Sequence, residues 1–159
     1  MNREFFSSNN NESSIMNEIS DVDVYFKRLY SKTTSPPPIS VDEFLDIMAK
    51  CKDSTIPRER EVFQNGIRNL FEEYKFYPQY PERELLLTAQ LFGGFFERGL
   101  FQNQVLIASF RVILEGLKKP VGTNLWNFSV TALNRCKTRW DDFFKKLFLR
   151  KCQIKDNDK

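Results

Sequence analysis

The carboxylates and thiols of this chain are its candidates for chemistry, and their spacing does not favour it. Glu72 and Glu73 are adjacent; on a helix they diverge by about 100° and do not converge on one reacting atom, as an acid-base pair must. Asp141 and Asp142 stand near an expected helix start, where the macrodipole accounts for them. The run KKPVGT looks superficially like a phosphate loop, but it lacks the G-x-x-x-x-G-K-[ST] spacing and follows a helix rather than a strand. The 159 residues include no histidine, which excludes Ser-His-Asp and Cys-His relays and imidazole metal ligands. Cys51, Cys136 and Cys152 are odd in number and far apart, so neither a disulfide framework nor a zinc site is indicated. No enzymatic activity, cofactor, metal or small-molecule substrate is expected.

What the chain does concentrate is aromatic rings. In EEYKFYPQYPERE, Glu72 to Glu84, four of them surround two prolines three residues apart. Aromatic stripes at helical spacing are usually core, and Phe71, Phe92, Phe95 and Phe96 fit that reading. A tyrosine hydroxyl needs a partner when buried, so tyrosines collect at half-exposed edges and interfaces. Tyr30, Tyr77 and Tyr80 all stand at expected helix ends, where core and binding roles are nearly balanced.

Composition limits the partners. A 41% hydrophobic, 14% aromatic chain of this length suits one domain with a real core. A net charge of +3 is small for a protein held by nucleic-acid phosphates. The basic residues gather in the C-terminal third, from Lys118 and Lys119 through Arg135, Lys137, Arg139, Lys145 and Lys146 to Arg150 and Lys151, which leaves direct RNA binding as the second functional reading. The N-terminus lacks a long apolar run, and later apolar stretches are broken by Gln90, Glu97 and Arg111 before membrane-spanning length. A cytoplasmic location, P-bodies included, or a nuclear one is the expectation.

The elements that must position these rings are helical. Residues 1–20, rich in Ser and Asn, read as a disordered tail, 21–150 as the folded domain and 151–159 as a polar end. Val22, Tyr25, Phe26, Leu29 and Tyr30 form one stripe of a first helix, which SKTTSPPPI stops. Ser40 with Glu43 predicts a capping box for a second helix ending near Lys52. Pro57 suits the first turn of a third, which Pro78 ends, and Pro81 opens a fourth, closed by Gly99. Gly93 and Gly94 inside it each cost about 1 kcal/mol relative to Ala, which predicts close approach of a neighbouring helix. A fifth helix spans about Asn103 to Lys118, a sixth starts near Asn124, and Trp140 to Leu149 reads as a seventh. The fold class is all-α. Short connectors favour a layered array of antiparallel hairpins, with a compact bundle as the rival.

Within this pattern, STIPREREVFQNGIRNLFEEYKFYPQYPERELLLTAQLFGG closely resembles the tristetraprolin-binding, MIF4G-like domain of the large scaffold subunit of the CCR-NOT deadenylase complex. YFKRLY, SVDEFLDIM, ERGL, ILEGLKKPVG and ALNRCKTR extend the resemblance over roughly Val24 to Arg139. It implies a right-handed stack of HEAT-like hairpins without catalytic activity. It also implies an apolar groove for short amphipathic helices of RNA-binding adaptor proteins of the tristetraprolin type, in support of mRNA deadenylation, decay and translational repression. Other subunits of the complex would be partners of the full scaffold. The groove positions of the family fall on Phe26 and Tyr30 of YFKRLY and on Glu73 and Tyr80 of EEYKFYPQYP, and Tyr77 of the same elbow completes the candidate set. FFERGLFQNQVLIASFRVIL departs from the family's more Ala- and Tyr-rich fifth-helix region, and the expectation is that one groove wall or the back surface accepts a different motif. A free-standing product of this length would compete for adaptors rather than deliver deadenylases to them.

Overall fold

The computed structural model describes residues 12–35 and 37–156. Its described residues form six α-helices and one 3-10 turn, with no strand: α1 (Glu12–Tyr30), α2 (Val41–Lys52), α3 (Pro57–Glu73), the 3-10 turn Tyr74–Gln79, α4 (Glu82–Glu97), α5 (Asn103–Leu117) and α6 (Asn124–Asp156).

Local chemistry sets most of these ends. Ser40 accepts from the Glu43 amide at 3.1 Å while Glu43 accepts from the Ser40 amide at 2.7 Å, closing the capping box of α2. Pro57 occupies the first position of α3 and Pro81 the N-cap of α4. At the end of α4, Gly99 takes φ +67°, and the Leu100 and Gly99 amides bond back to the Phe95 and Phe96 carbonyls.

Three boundaries differ from the sequence reading. α1 begins at Glu12, inside the stretch expected as a tail, because Ile15, Met16 and Ile19 continue the spacing of Val22; residues 1–11 lie outside the described residues. α3 leaves α geometry at Glu73, and Pro78 sits inside a 3-10 turn. Pro78 has no N–H for the i−4 carbonyl and disfavours α geometry before it, so the chain tightens. The expected sixth and seventh helices are one, because the run NRCKTR contains neither Gly nor Pro and its inner side is packed, with Cys136 buried and Arg135 paired to Asp42 and Glu97.

α4 is the centre of the molecule. From Leu85 to Phe96 only Gln90 is exposed, as expected of a helix apolar all round. α6 runs parallel to it, with Glu82 near Asn124, Gly93 against Ala132 and Phe96 on Trp140. A Cβ on Gly93 would lie 2.5 Å from the Ala132 carbonyl oxygen and one on Gly94 would run into Leu45, which is the close approach the paired glycines predict. α1 and α3 are parallel in the same way, from the Asp21–Arg58 pair, midway along α1 and at the start of α3, to Tyr30 and Glu73 at their ends. α5 instead runs antiparallel to α6, with Gly116 on Ser129 and Phe110 on Trp140. Parallel partners joined by antiparallel hairpins are the signature of a stack and not of an up-down bundle.

One ion cluster ties the layers. Arg98 holds Asp42 at 3.1 Å and Asp46, while Arg135 holds Asp42 at 2.5 Å and Glu97 at 3.3 Å, so one carboxylate of α2 is shared by α4 and α6.

Candidate functional site

Because α1 and α3 are parallel, their C-terminal ends lie together, and the proline elbow that follows α3 closes over them. Phe26, Tyr30, Glu73, Tyr77 and Tyr80 line one cavity of about 150 Å³, with Asn69, Leu70 and Thr88 completing its wall. A second, wider recess of about 630 Å³ continues from Phe26 and Tyr30 along Asp23, Lys27 and Lys32. All five candidates of the sequence reading therefore meet at one place.

Each ring is held by a named contact. Phe26 and Tyr30, one helical turn apart, stack at 6.4 Å and 17°, and Phe26 leans on Phe44 of α2 at 4.9 Å. The Thr88 hydroxyl donates to the Glu84 carbonyl at 2.7 Å, so in the 2.5 Å contact between Thr88 and Tyr30 the tyrosine is the donor. Arg83 donates to the Tyr30 and Ser31 carbonyls at 3.0 and 3.3 Å, capping the end of α1. Tyr77 is the floor, fully buried, with its hydroxyl donating to the Leu70 carbonyl at 2.8 Å and its ring on Phe128 at 4.8 Å. Tyr80 stands half-buried above it at 5.1 Å and donates to Glu73 Oε2 at 2.9 Å. Asn124, at the start of α6, donates its amide to the Pro78 and Tyr80 carbonyls at 2.9 and 3.1 Å and so braces the elbow. Tyr74 also faces inward, at 6.4 Å from Phe128, whereas Phe76 is 43% exposed.

The electrostatics follow from burial. Desolvation, moderated by Thr88, pushes the Tyr30 phenol up to about 12. Tyr77 and Tyr80 are raised too, in both cases mainly by burial, with the Glu73 hydrogen bond adding to the effect at Tyr80. All three therefore carry their protons near neutrality and act as donors. Among the described residues no cation pairs with Glu73, so an apolar trough carries one carboxylate with an unshared oxygen on its wall.

Sequence reasoning missed Asn69, Thr88, Arg83 and Asn124. A hydroxyl amid the apolar run of α4 is the mark of Thr88; nothing local marks the other three, and the contacts of Arg83 and Asn124 span the fold. Elsewhere the arrangement has little reactive chemistry. Cys51 and Cys136 are buried, and burial lifts the Cys136 thiol to about 12. Among the described residues no three metal-ligating side chains cluster, and no helix is long and apolar enough to cross a membrane.

Known proteins share this pattern. Residues 3–159 match the family described as the CCR4-NOT transcription complex subunit 1 TTP binding domain. The CCR4-NOT transcription complex subunit let-711 of Caenorhabditis elegans is 35% identical over 115 residues, 72% of this chain and 4% of that protein. The general negative regulator of transcription subunit 1 of Schizosaccharomyces pombe is 32% identical over 72% of the chain and 5% of its own length. Its Saccharomyces cerevisiae namesake is 26% identical over 75% and 5%. The chain thus spans about a twentieth of these relatives. The solved N-terminal domain of the yeast Not1 superposes with a TM-score of 0.72 at 25% identity, over 84% of this chain and 23% of that one. The chain accordingly belongs to the family of the TTP-binding domain of CCR4-NOT transcription complex subunit 1.

Proposed function

We propose that this chain is a non-catalytic docking module of the CCR4-NOT scaffold. It takes a short amphipathic helix of an RNA-binding adaptor protein, of the tristetraprolin type, in the trough between α1 and the proline elbow. In that role it brings the deadenylation machinery to chosen messenger RNAs, in the cytoplasm and the nucleus. The observation that carries this reading is the convergence of Phe26, Tyr30, Glu73, Tyr77 and Tyr80 on one cavity. A partner helix would lay its i, i+3, i+4 and i+7 apolar residues across Phe26, Tyr30 and Tyr80. Glu73 would take a backbone N–H of the partner's first turn, or a Lys or Arg side chain, through its unshared oxygen. Each large side chain buried contributes about 1.5–3 kcal/mol, and two or three anchors less the ordering cost give an affinity of about micromolar.

The test is a fluorescence titration with a labelled amphipathic peptide from a tristetraprolin-like tail. Tyr80→Ala and Phe26→Ala, both at half-buried rings, should each weaken binding about tenfold or more. Equal affinity in wild type and both variants would remove the trough as the binding site.

A further inference from the structure

A second surface lies at the other end of α4, where α5 and α6 run antiparallel and α6 outruns its partner. At 1.5 Å per residue, the 33 residues of α6 reach about 50 Å against about 22 Å for the 15 of α5. The rings at this end form a ladder. Phe96 stands on Trp140 at 5.4 Å, Trp140 on Phe110 at 4.5 Å, Phe110 on Phe143 at 5.0 Å and Trp140 on Phe144 at 5.7 Å. The ladder begins in the core and ends in solvent, with Phe143 36% and Phe144 47% exposed. Ile107 and Leu114 of α5, on the same helix face as Phe110, are exposed as well. Single exposed apolar residues need no explanation, but a contiguous patch does. Beside Phe143 the surface opens into a cavity of about 450 Å³ with a floor of Phe96, Phe101 and Leu106 and with Asn103 and Arg139 at its lip.

The charge around this patch is net positive. At 100° per residue, Arg139 and Lys146 share the flank of α6 beside Phe143, with Asp142 behind them, while Asp141 lies on the opposite side with Lys137 and Lys145, so four cations stand against two carboxylates. Among the described residues, Lys137, Arg139, Lys145 and Lys146 have no carboxylate partner, whereas Arg98 and Arg135 nearby are committed to Asp42, Asp46 and Glu97. An apolar recess with a cationic flank is complementary to an amphipathic helix whose polar edge is acidic.

We propose that the α5–α6 face is a second docking surface, independent of the trough, for an acidic amphipathic helix of another protein. One bulky apolar anchor of that helix enters the cavity at Phe96 and Phe101, the next rests on Phe143 and Phe144, and its carboxylates meet Arg139 and Lys146. Nucleic acid fits less well, because Phe143 and Phe144 are tied to Phe110 and Trp140 and do not offer free faces for base stacking.

The probe is a designed fluorescent helix of about four turns with Leu and Phe at i, i+3, i+4 and i+7 and Glu on its flanks. Saturable binding is expected, with amide shift changes over 96–106 and 139–144 in nitrogen-15 spectra. Arg139→Glu and Phe143→Ser should each weaken it about tenfold or more, Tyr80→Ala should leave it unchanged, and the same peptide with Lys for Glu should fail to bind. Circular dichroism confirms that the variants fold, and Arg139→Glu, a surface charge change, decides if Phe143→Ser does not. The proposal is overturned by equal binding of the Lys peptide, by no saturable binding, or by loss in Tyr80→Ala alone, which would assign the peptide to the trough. It is equally overturned if polyuridine is retained at low salt in an Arg139-dependent way while the peptide is not. Sedimentation showing self-association that Phe143→Ser abolishes, without peptide binding, would give the face to a second copy of the chain.

Discussion

Tyr30 has two duties that draw on the same side chain: its ring lines the trough, and its hydroxyl anchors α1 to α4 through Thr88. The anchoring is visible in its titration. The free phenol ionises near 10.0 and the folded one near 12, so between those values the unfolded chain releases a proton that the native one keeps. The contribution of Tyr30 to stability is therefore complete below pH 10.0 and is lost as pH rises toward 12. In an ultraviolet tyrosinate titration the late component, to which Tyr77 and Tyr80 also contribute, should be smaller by one phenol in Tyr30→Phe. A late component undiminished in Tyr30→Phe would show that this phenol is not shielded.

At the scale of elements, the interior glycines of α4 give the sharpest contrast. Ala in place of Gly gains about 1 kcal/mol of helix propensity, yet a Cβ at Gly93 meets the Ala132 carbonyl, which is backbone and cannot step aside. Gly93→Ala should lose a net of about 1–3 kcal/mol in urea unfolding, and more than Gly94→Ala, whose Cβ meets the end of the Leu45 side chain. The same glycines show what was legible in the sequence. Capping residues, first-turn prolines and the Gly93–Gly94 pair act within a few residues, and α2, α4, α5 and the start of α3 were located closely. The merged α6 and the early start of α1 were not legible, because a polar face of a packed helix and a true break look alike until the packing partner is known. The same division holds in the site. Tyr77 and Tyr80 are marked by the prolines beside them, and Phe26 and Tyr30 by resemblance and by their spacing. Arg83 and Asn124 act across more than forty residues and leave no local trace.

For the whole molecule, cohesion between layers runs through Asp42, the one carboxylate among the described residues shared by two guanidinium groups, Arg98 capping α4 and Arg135 on α6. Arg135, hydrogen-bonded to it, holds its carboxyl below the ordinary 3.8. The unfolded chain takes up the proton first as pH falls, so the contribution is full above pH 3.8 and is lost as pH drops through the depressed native value. Asp42→Asn should shift the urea midpoint near neutrality, and the difference from wild type should close below pH 3.8 and shrink in concentrated salt. A difference independent of both would assign the effect to packing instead.

The brace from Asn124 to the elbow also decides how small a working piece of this protein can be. Every aromatic wall of the trough lies before residue 81, so a fragment ending ahead of Asn124 keeps all of them. It loses the one amide that grips Pro78 and Tyr80 from behind and leaves α4 stripped along its length. Such a truncation should show residual helix by circular dichroism but no cooperative melting and no adaptor capture, which makes the last helix a keystone for a recess it barely borders.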